Sequence, residues 1–122
     1  MHQNENKIPV YFLPGLAANP SIFKNIQLDP DRFEIHLLEW MIPYEEESIS
    51  EYALRFCSKV KHTNAVLVGV SFGGIIAQEM NLVHNFRKII IISSVKTRKE
   101  QPLHLQLAGK KKVYKLVPTS LF

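Results

Sequence analysis

Residues 69–74, GVSFGG, decide how this chain is read. Gly69-Val70-Ser71-Phe72-Gly73 matches G-x-S-x-G, and Gly74 extends it. Five residues of this kind recur by chance, so their surroundings carry the inference. NAVLV (64–68) runs into the motif and GIIAQEM (74–80) runs out of it. The first is a short β-branched apolar run and the second a helical one, which predicts a motif lying between a strand and a helix. A serine there must sit in a sharp, strained turn with its hydroxyl exposed. The flanking positions, Gly69 and Gly73, must then be glycine because neighbouring backbone leaves no room for a Cβ. The competing reading is a plain glycine-rich turn of the phosphate-cradling sort. No Lys-Ser/Thr pair marks a P-loop, and there is no G-x-G-x-x-G. The context favours Ser71 as a nucleophile.

Working outward, KIPVYFLPG (7–15) reads as a buried strand over residues 8–13, closed by Pro14-Gly15. In ANPSIFKNI (18–26), Asn19 is a candidate N-cap and Pro20 a first helical residue. DPDR (29–32) is a turn, and FEIHLLEW (33–40) a second strand. Ser48 and Glu51 have capping-box spacing, and Ile49, Ala53, Phe56, Cys57 and Val60 then share one helical face. NAVLVGV (64–70) is the third strand, GGIIAQEMNLVH (73–84) a helix and KIIIISS (88–94) the fourth strand. Strands and helices alternate, and the strands are almost wholly apolar. The expected fold is α/β, a doubly wound parallel sheet of about four strands with helices on both faces.

The chain has 122 residues, 46% of them hydrophobic and 21% charged, enough for one compact core. No apolar run approaches the ~20 residues of a membrane span. The start, MHQNENK, lacks the apolar region of a secretory signal. Cys57 is the single cysteine, so no internal disulfide forms, and its apolar stripe suggests a buried structural thiol. These features suggest a cytoplasmic setting. Residues 1–95 carry 8 Lys and Arg against 10 Asp and Glu, a balance of −2, whereas residues 96–122 carry 7 against 1, a balance of +6. The basicity belongs to the tail, unlike that of a wholly basic nucleic-acid binder. VKTRKEQP (95–102) reads as a charged loop and residues 103–122 as a basic, lid-like helix. That helix is a solvated face on the simplest reading, with partner docking or membrane-surface attachment as alternatives.

Acyl transfer needs two donors for the developing oxyanion, one from the residue after the nucleophile and one from a separate loop. Phe72 supplies the first from the start of its helix. LPGLAANP (13–20) leaves the first strand through Gly15, and the Leu16 amide is the natural second donor. With the second strand outside the first and the third beside it, both loops would face one crevice at the point where strand order reverses. A simple turn is the alternative for this loop.

With its oxyanion loop LPGLAANP, its elbow GVSFGG and its alternating strands and helices, the chain resembles the α/β-hydrolases. The four strands resemble the third to sixth of that family's usual eight, with no counterpart of the first two. The resemblance implies Ser71 as nucleophile, the Leu16 and Phe72 amides as oxyanion hole, and Ser93 and Ser94 at the crevice border. It also implies that residues 1–95 are a partial hydrolase core and that residues 96–122 begin a lid. Pro14 stands where many members have histidine, which a backbone donor does not need.

A serine hydroxyl needs a base, and the base an orienting carboxylate, in the family order Ser, Asp/Glu, His. After Ser71 the acids are Glu79 and Glu100 and the histidines His84 and His104. Glu79 suits a solvated helix face, and His84 a helix end. Glu100 and His104 satisfy the order, but four residues on one helix are unlike loops borne on separate strands. His2, His36 and His62 precede the serine without a motif, and no metal-ligand spacing is visible.

The expectation is therefore a truncated serine hydrolase for a small-molecule acyl substrate, a carboxylic ester or thioester, with the acid and histidine of its triad missing from these 122 residues. The basic tail would favour anionic substrates such as acyl-CoA or lipid head groups. No cofactor is implied, since this chemistry needs none. The exposed edge at residues 88–94 would invite self-association. The alternative is an inactive hydrolase-fold binding module.

Overall fold

The computed structural model describes residues 7–15, 23–24 and 26–92. Its elements are β1 (Ile8–Leu13), β2 (Phe33–Leu37), α1 (Ile49–Cys57), β3 (Val66–Val70), α2 (Phe72–Met80) and β4 (Lys88–Ile92). The strands form one parallel sheet in the order β2-β1-β3-β4. Tyr11 lies opposite His36 on one side and Leu67 on the other. This is the α/β fold read from the alternating pattern.

The strand order follows from the direction of each crossover. The connection from β1 to β2 runs one way along the sheet, whereas α1 carries the chain back over β1 to β3 and α2 continues to β4. Right-handed crossovers then put α1 and α2 on one face and the β1–β2 connection on the other. Phe23, a described residue of that connection, does pack on the opposite face, its ring 4.8 Å from that of Phe12.

Alternation in β1 divides the core. Tyr11 and Leu13 point to the helices, where Tyr52, Phe56, Leu67, Ile76 and Met80 are fully buried with Leu13. Val10 and Phe12 face the other way, with Val68 and Phe23. Both faces of the central strands are therefore apolar, as parallel strands require. On the face away from the helices, an apolar groove of about 520 Å³ runs over β1, β3 and β4, lined by Val10, Phe12, Val68, Ile90 and Ile92.

Helix α1 begins where its capping box predicts. The Ser48 hydroxyl accepts from the Glu51 amide, and the Glu51 carboxylate accepts from the Ser48 amide. Ile49, Ala53, Phe56 and Val60 are buried, and Cys57 is half-buried with its thiol directed at the Met80 carbonyl. Burial pushes the Cys57 thiol pKa up. Turns at Asp29 and Asp31 feed β2, as the DPDR segment suggests.

Two boundaries differ from the sequence reading. The second strand ends at Leu37 and does not run on to Trp40, because Trp40 is drawn into an aromatic cluster with Tyr52, Phe56 and Phe72. Helix α2 stops at Met80, short of His84. Asn81 caps it, and the Val83 and His84 amides both fold back to the Met80 carbonyl. The helix expected from Asn19, the final residues of the fourth strand, Ser93 and Ser94, and the lid-like segment 96–122 lie outside the described residues. Among the described residues no helix is long and apolar enough to cross a membrane.

Candidate active site

Ser71 sits at the junction of β3 and α2 with φ 55° and ψ −123°, and it is the one non-glycine residue at positive φ among those described. L-residues avoid this region at a cost of about 1–3 kcal/mol, so surrounding structure must impose it. The imposing contacts are backbone crossings. A Cβ on Gly69 would lie 2.5 Å from the Gly73 oxygen, so β3 and the first turn of α2 touch without side chains between them. A Cβ on Gly73 would lie 2.5 Å from both the Leu13 and Pro14 oxygens, which seats the start of α2 against the end of β1. These close approaches leave the reversal from β3 into α2 to residue 71.

Two hydrogen bonds fix that reversal. The Ser71 amide donates to the Ile92 carbonyl at 2.9 Å, continuing the β3–β4 ladder, and the Gly74 amide donates to the Ser71 carbonyl at 2.9 Å. Ser71 itself is exposed, whereas Phe72, Gly73 and Gly74 are buried. Phe72 opens the helix, where N–H groups have no intrahelical acceptor and the helix end carries partial positive charge.

The loop after β1 meets this elbow. A Cβ on Gly15 would stand 3.1 Å from the Ser71 Cβ and 3.3 Å from the Val70 oxygen. Gly15 is also held from behind, because the Trp40 indole N–H donates to its carbonyl at 2.8 Å. Trp40 is held in turn. Its ring stacks on Phe72 at 5.6 Å and on Tyr52 at 5.9 Å. The Tyr52 hydroxyl donates to the Met41 carbonyl and accepts from the Met41 amide. Burial of Tyr52 pushes its pKa up to about 12. The ends of β1 and β3 thus bring Gly15 and Ser71 together where strand order reverses. Leu16 lies outside the described residues.

The remaining titratable candidates fall elsewhere. Glu79 is at the far end of α2, roughly 12 Å along the helix axis from Ser71 at 1.5 Å per residue, and accepts from the Ser50 hydroxyl of α1. His84 bonds the His62 carbonyl at 3.2 Å and packs on Phe86. Glu100 and His104 lie outside the described residues. One grouping escaped the sequence reading. Glu34, His36 and His62 each bring a ligand atom within 4.8 Å of the other two, although no metal-ligand spacing is visible in sequence. The Glu34-x-His36 alternation on one face of a strand was the available signal; His62 arrives from a loop.

No protein-family model matches the sequence, and no curated protein matches it. Among solved structures, one that matches is described as an N-acyl homoserine lactone degrading enzyme. It is 24% identical with a TM-score of 0.60, and the match covers 85% of this chain. The match covers 45% of that structure, so this chain spans less than half its length. The likeness establishes the α/β fold.

Proposed function

We propose that this chain carries the nucleophile half of a serine hydrolase of the α/β-hydrolase kind, acting on a carboxylic ester or thioester. The observation that carries the proposal is the backbone of Ser71, at φ 55° and ψ −123° between a parallel strand and a helix. Nothing in sheet or helix geometry requires a non-glycine residue there, and a strained serine with an exposed side chain is what nucleophilic attack requires.

In this reading the Ser71 Oγ attacks the carbonyl carbon while a histidine takes its proton. The carbonyl oxygen becomes an oxyanion held by the Phe72 and Leu16 amides. The carbon–oxygen or carbon–sulfur bond to the leaving group then breaks, the histidine returns the proton to the leaving group, and water releases the acyl group from Ser71. The acid and histidine come from outside the described residues. A lactone is a cyclic ester, and the molecule named in the neighbour's description contains one. Phe72 and the apolar β1 terminus suit an apolar acyl group. The +6 balance of residues 96–122 suits an anionic group elsewhere in the substrate, as in an acyl-CoA or a lipid head group.

A second reading is a hydrolase fold kept for binding. It is favoured by Glu79 and His84, whose partners Ser50 and His62 lie away from the elbow. Labelling of the folded chain with a fluorophosphonate, beside Ser71→Ala, separates the two. Labelling that vanishes in Ser71→Ala supports an assembled nucleophile. A folded chain that does not label supports the binding module or a site completed by further polypeptide, and adding the following segment in trans then decides between them.

A further inference from the structure

We propose that Glu34, His36 and His62 form a binding site for a divalent transition metal, with Zn²⁺ as the ion best suited to the donor set. The site is separate from the Ser71 elbow and does not depend on the hydrolase reading.

The donors converge from two parts of the chain. Glu34 and His36 alternate along β2 and share the face that carries Tyr11, while His62 stands in the loop between α1 and β3. The Glu34 carboxylate oxygen lies 2.7 Å from His36 Nε2 and 3.8 Å from His62 Nε2. Donors bound tetrahedrally at Zn–N and Zn–O lengths of about 2.0–2.1 Å stand about 3.3 Å apart. The two carboxylate–imidazole separations bracket that value, and all three ligand atoms lie within 4.8 Å of one another. Two imidazoles and a carboxylate form a ligand set of the kind zinc accepts with one position left for water. All three side chains are a third or so exposed, and an open cleft of about 580 Å³ gives an ion access.

The surroundings hold the donors in place. The Tyr11 hydroxyl lies 2.8 Å from His62 Nδ1, and it accepts from the Lys61 amide. In the tautomer that carries its proton on Nδ1, His62 donates to Tyr11, whose oxygen has two lone pairs, and the Nε2 lone pair is left for the ion. Such an outer partner fixes both tautomer and ring direction in metal-binding histidines. The Tyr11 ring also stacks on His36 at 4.6 Å and 14°, which sets the plane of the second imidazole. The His62 carbonyl is held by His84. The competing account is a simple hydrogen bond between His36 Nε2 and the Glu34 carboxylate. Metal binding would take the place of that hydrogen bond. Of the charged neighbours, Glu39 favours a cation in the cleft, and Lys59 and Lys61 oppose it.

An occupied site would fasten the outer strand β2 to the loop before β3, so its effect would be on stability. The test is calorimetric titration of the chelator-treated 122-residue chain with Zn²⁺, with proton NMR of the histidine ring signals in the same unmutated protein. The expected result is one Zn²⁺ per chain, with the His36 and His62 signals moving together. Affinity should fall at least about tenfold in His36→Gln and His62→Gln, by about 10–100-fold in Tyr11→Phe, and stay unchanged in His2→Gln/His104→Gln. Absence of binding, or ring signals of His2, His84 or His104 moving in place of these two, overturns the proposal. The NMR result stands even if a variant fails to fold.

Discussion

The indole N–H of Trp40 donates to the carbonyl oxygen of Gly15 at 2.8 Å, so the loop facing Ser71 is braced by a side chain from a different connection. Trp40 in turn rests on Phe72, the first residue of the elbow helix. One residue therefore touches both loops at the reversal of strand order, and it links them to the core around Tyr52 and Phe56.

Replacing Trp40 with Phe keeps an aromatic ring but leaves the buried Gly15 carbonyl without that donor. The expected loss is about 1–3 kcal/mol, the usual cost of an orphaned buried acceptor. Urea unfolding followed by circular dichroism would measure it, since Trp40 is the only tryptophan and fluorescence is lost with it. An unchanged midpoint would mean that the brace contributes nothing.

Strain at Ser71 is open to direct measurement. Ser71→Gly and Ser71→Ala both remove the hydroxyl, but only glycine accepts φ 55° without penalty. The glycine variant should exceed the alanine variant in stability by about 1–2 kcal/mol, while neither labels with a fluorophosphonate. Equal stabilities would argue that the backbone at residue 71 is relaxed.

Gly73→Ala should be far more damaging than a surface glycine change. Its Cβ would meet the Leu13 and Pro14 oxygens at 2.5 Å, and both belong to backbone that cannot rotate away. A loss of more than about 3 kcal/mol, comparable with severe overpacking, is expected in urea unfolding. A mild effect would mean that α2 can slide away from β1.

Tyr52 makes stability fall in alkali. Its pKa is raised from 10.0 to about 12 in the folded chain, so the folded state holds the proton more tightly than the unfolded one. The associated stability is fully present below pH 10 and is lost as pH rises towards about 12. Comparing urea midpoints from pH 9 to 12 in the unmutated chain and in Tyr52→Phe isolates this contribution, roughly 2 kcal/mol. Parallel pH curves would remove it.

Local signals made much of the fold legible. The strand over residues 8–13, the capping box at Ser48 and Glu51, and the strand–serine–helix order around residue 71 each depend on neighbours in the chain. Features set by distant partners were not legible. Trp40 leaves the second strand because an aromatic cluster assembled from α1 and α2 receives it. Tyr52 falls outside the apolar stripe read from spacing, yet it is fully buried because its hydroxyl finds both backbone groups of Met41. His62 meets Glu34 and His36 only because β1 places Tyr11 between their elements, and no spacing rule encodes that meeting. Gly15 is the converse case, since its turn signal is local and the fold then places it against Ser71.

The strand order has a consequence for synthesis. β1 leaves the ribosome before β3, yet β3 is one of its two neighbours, with Val10 opposite Val66. Until that later stretch emerges, the nascent chain must carry a ribbon of valine, tyrosine, phenylalanine and leucine with an unsatisfied side. Pairing between distant segments is slow, and such exposed ribbons attract other chains. Yield in cells should therefore depend on how quickly translation reaches Val70.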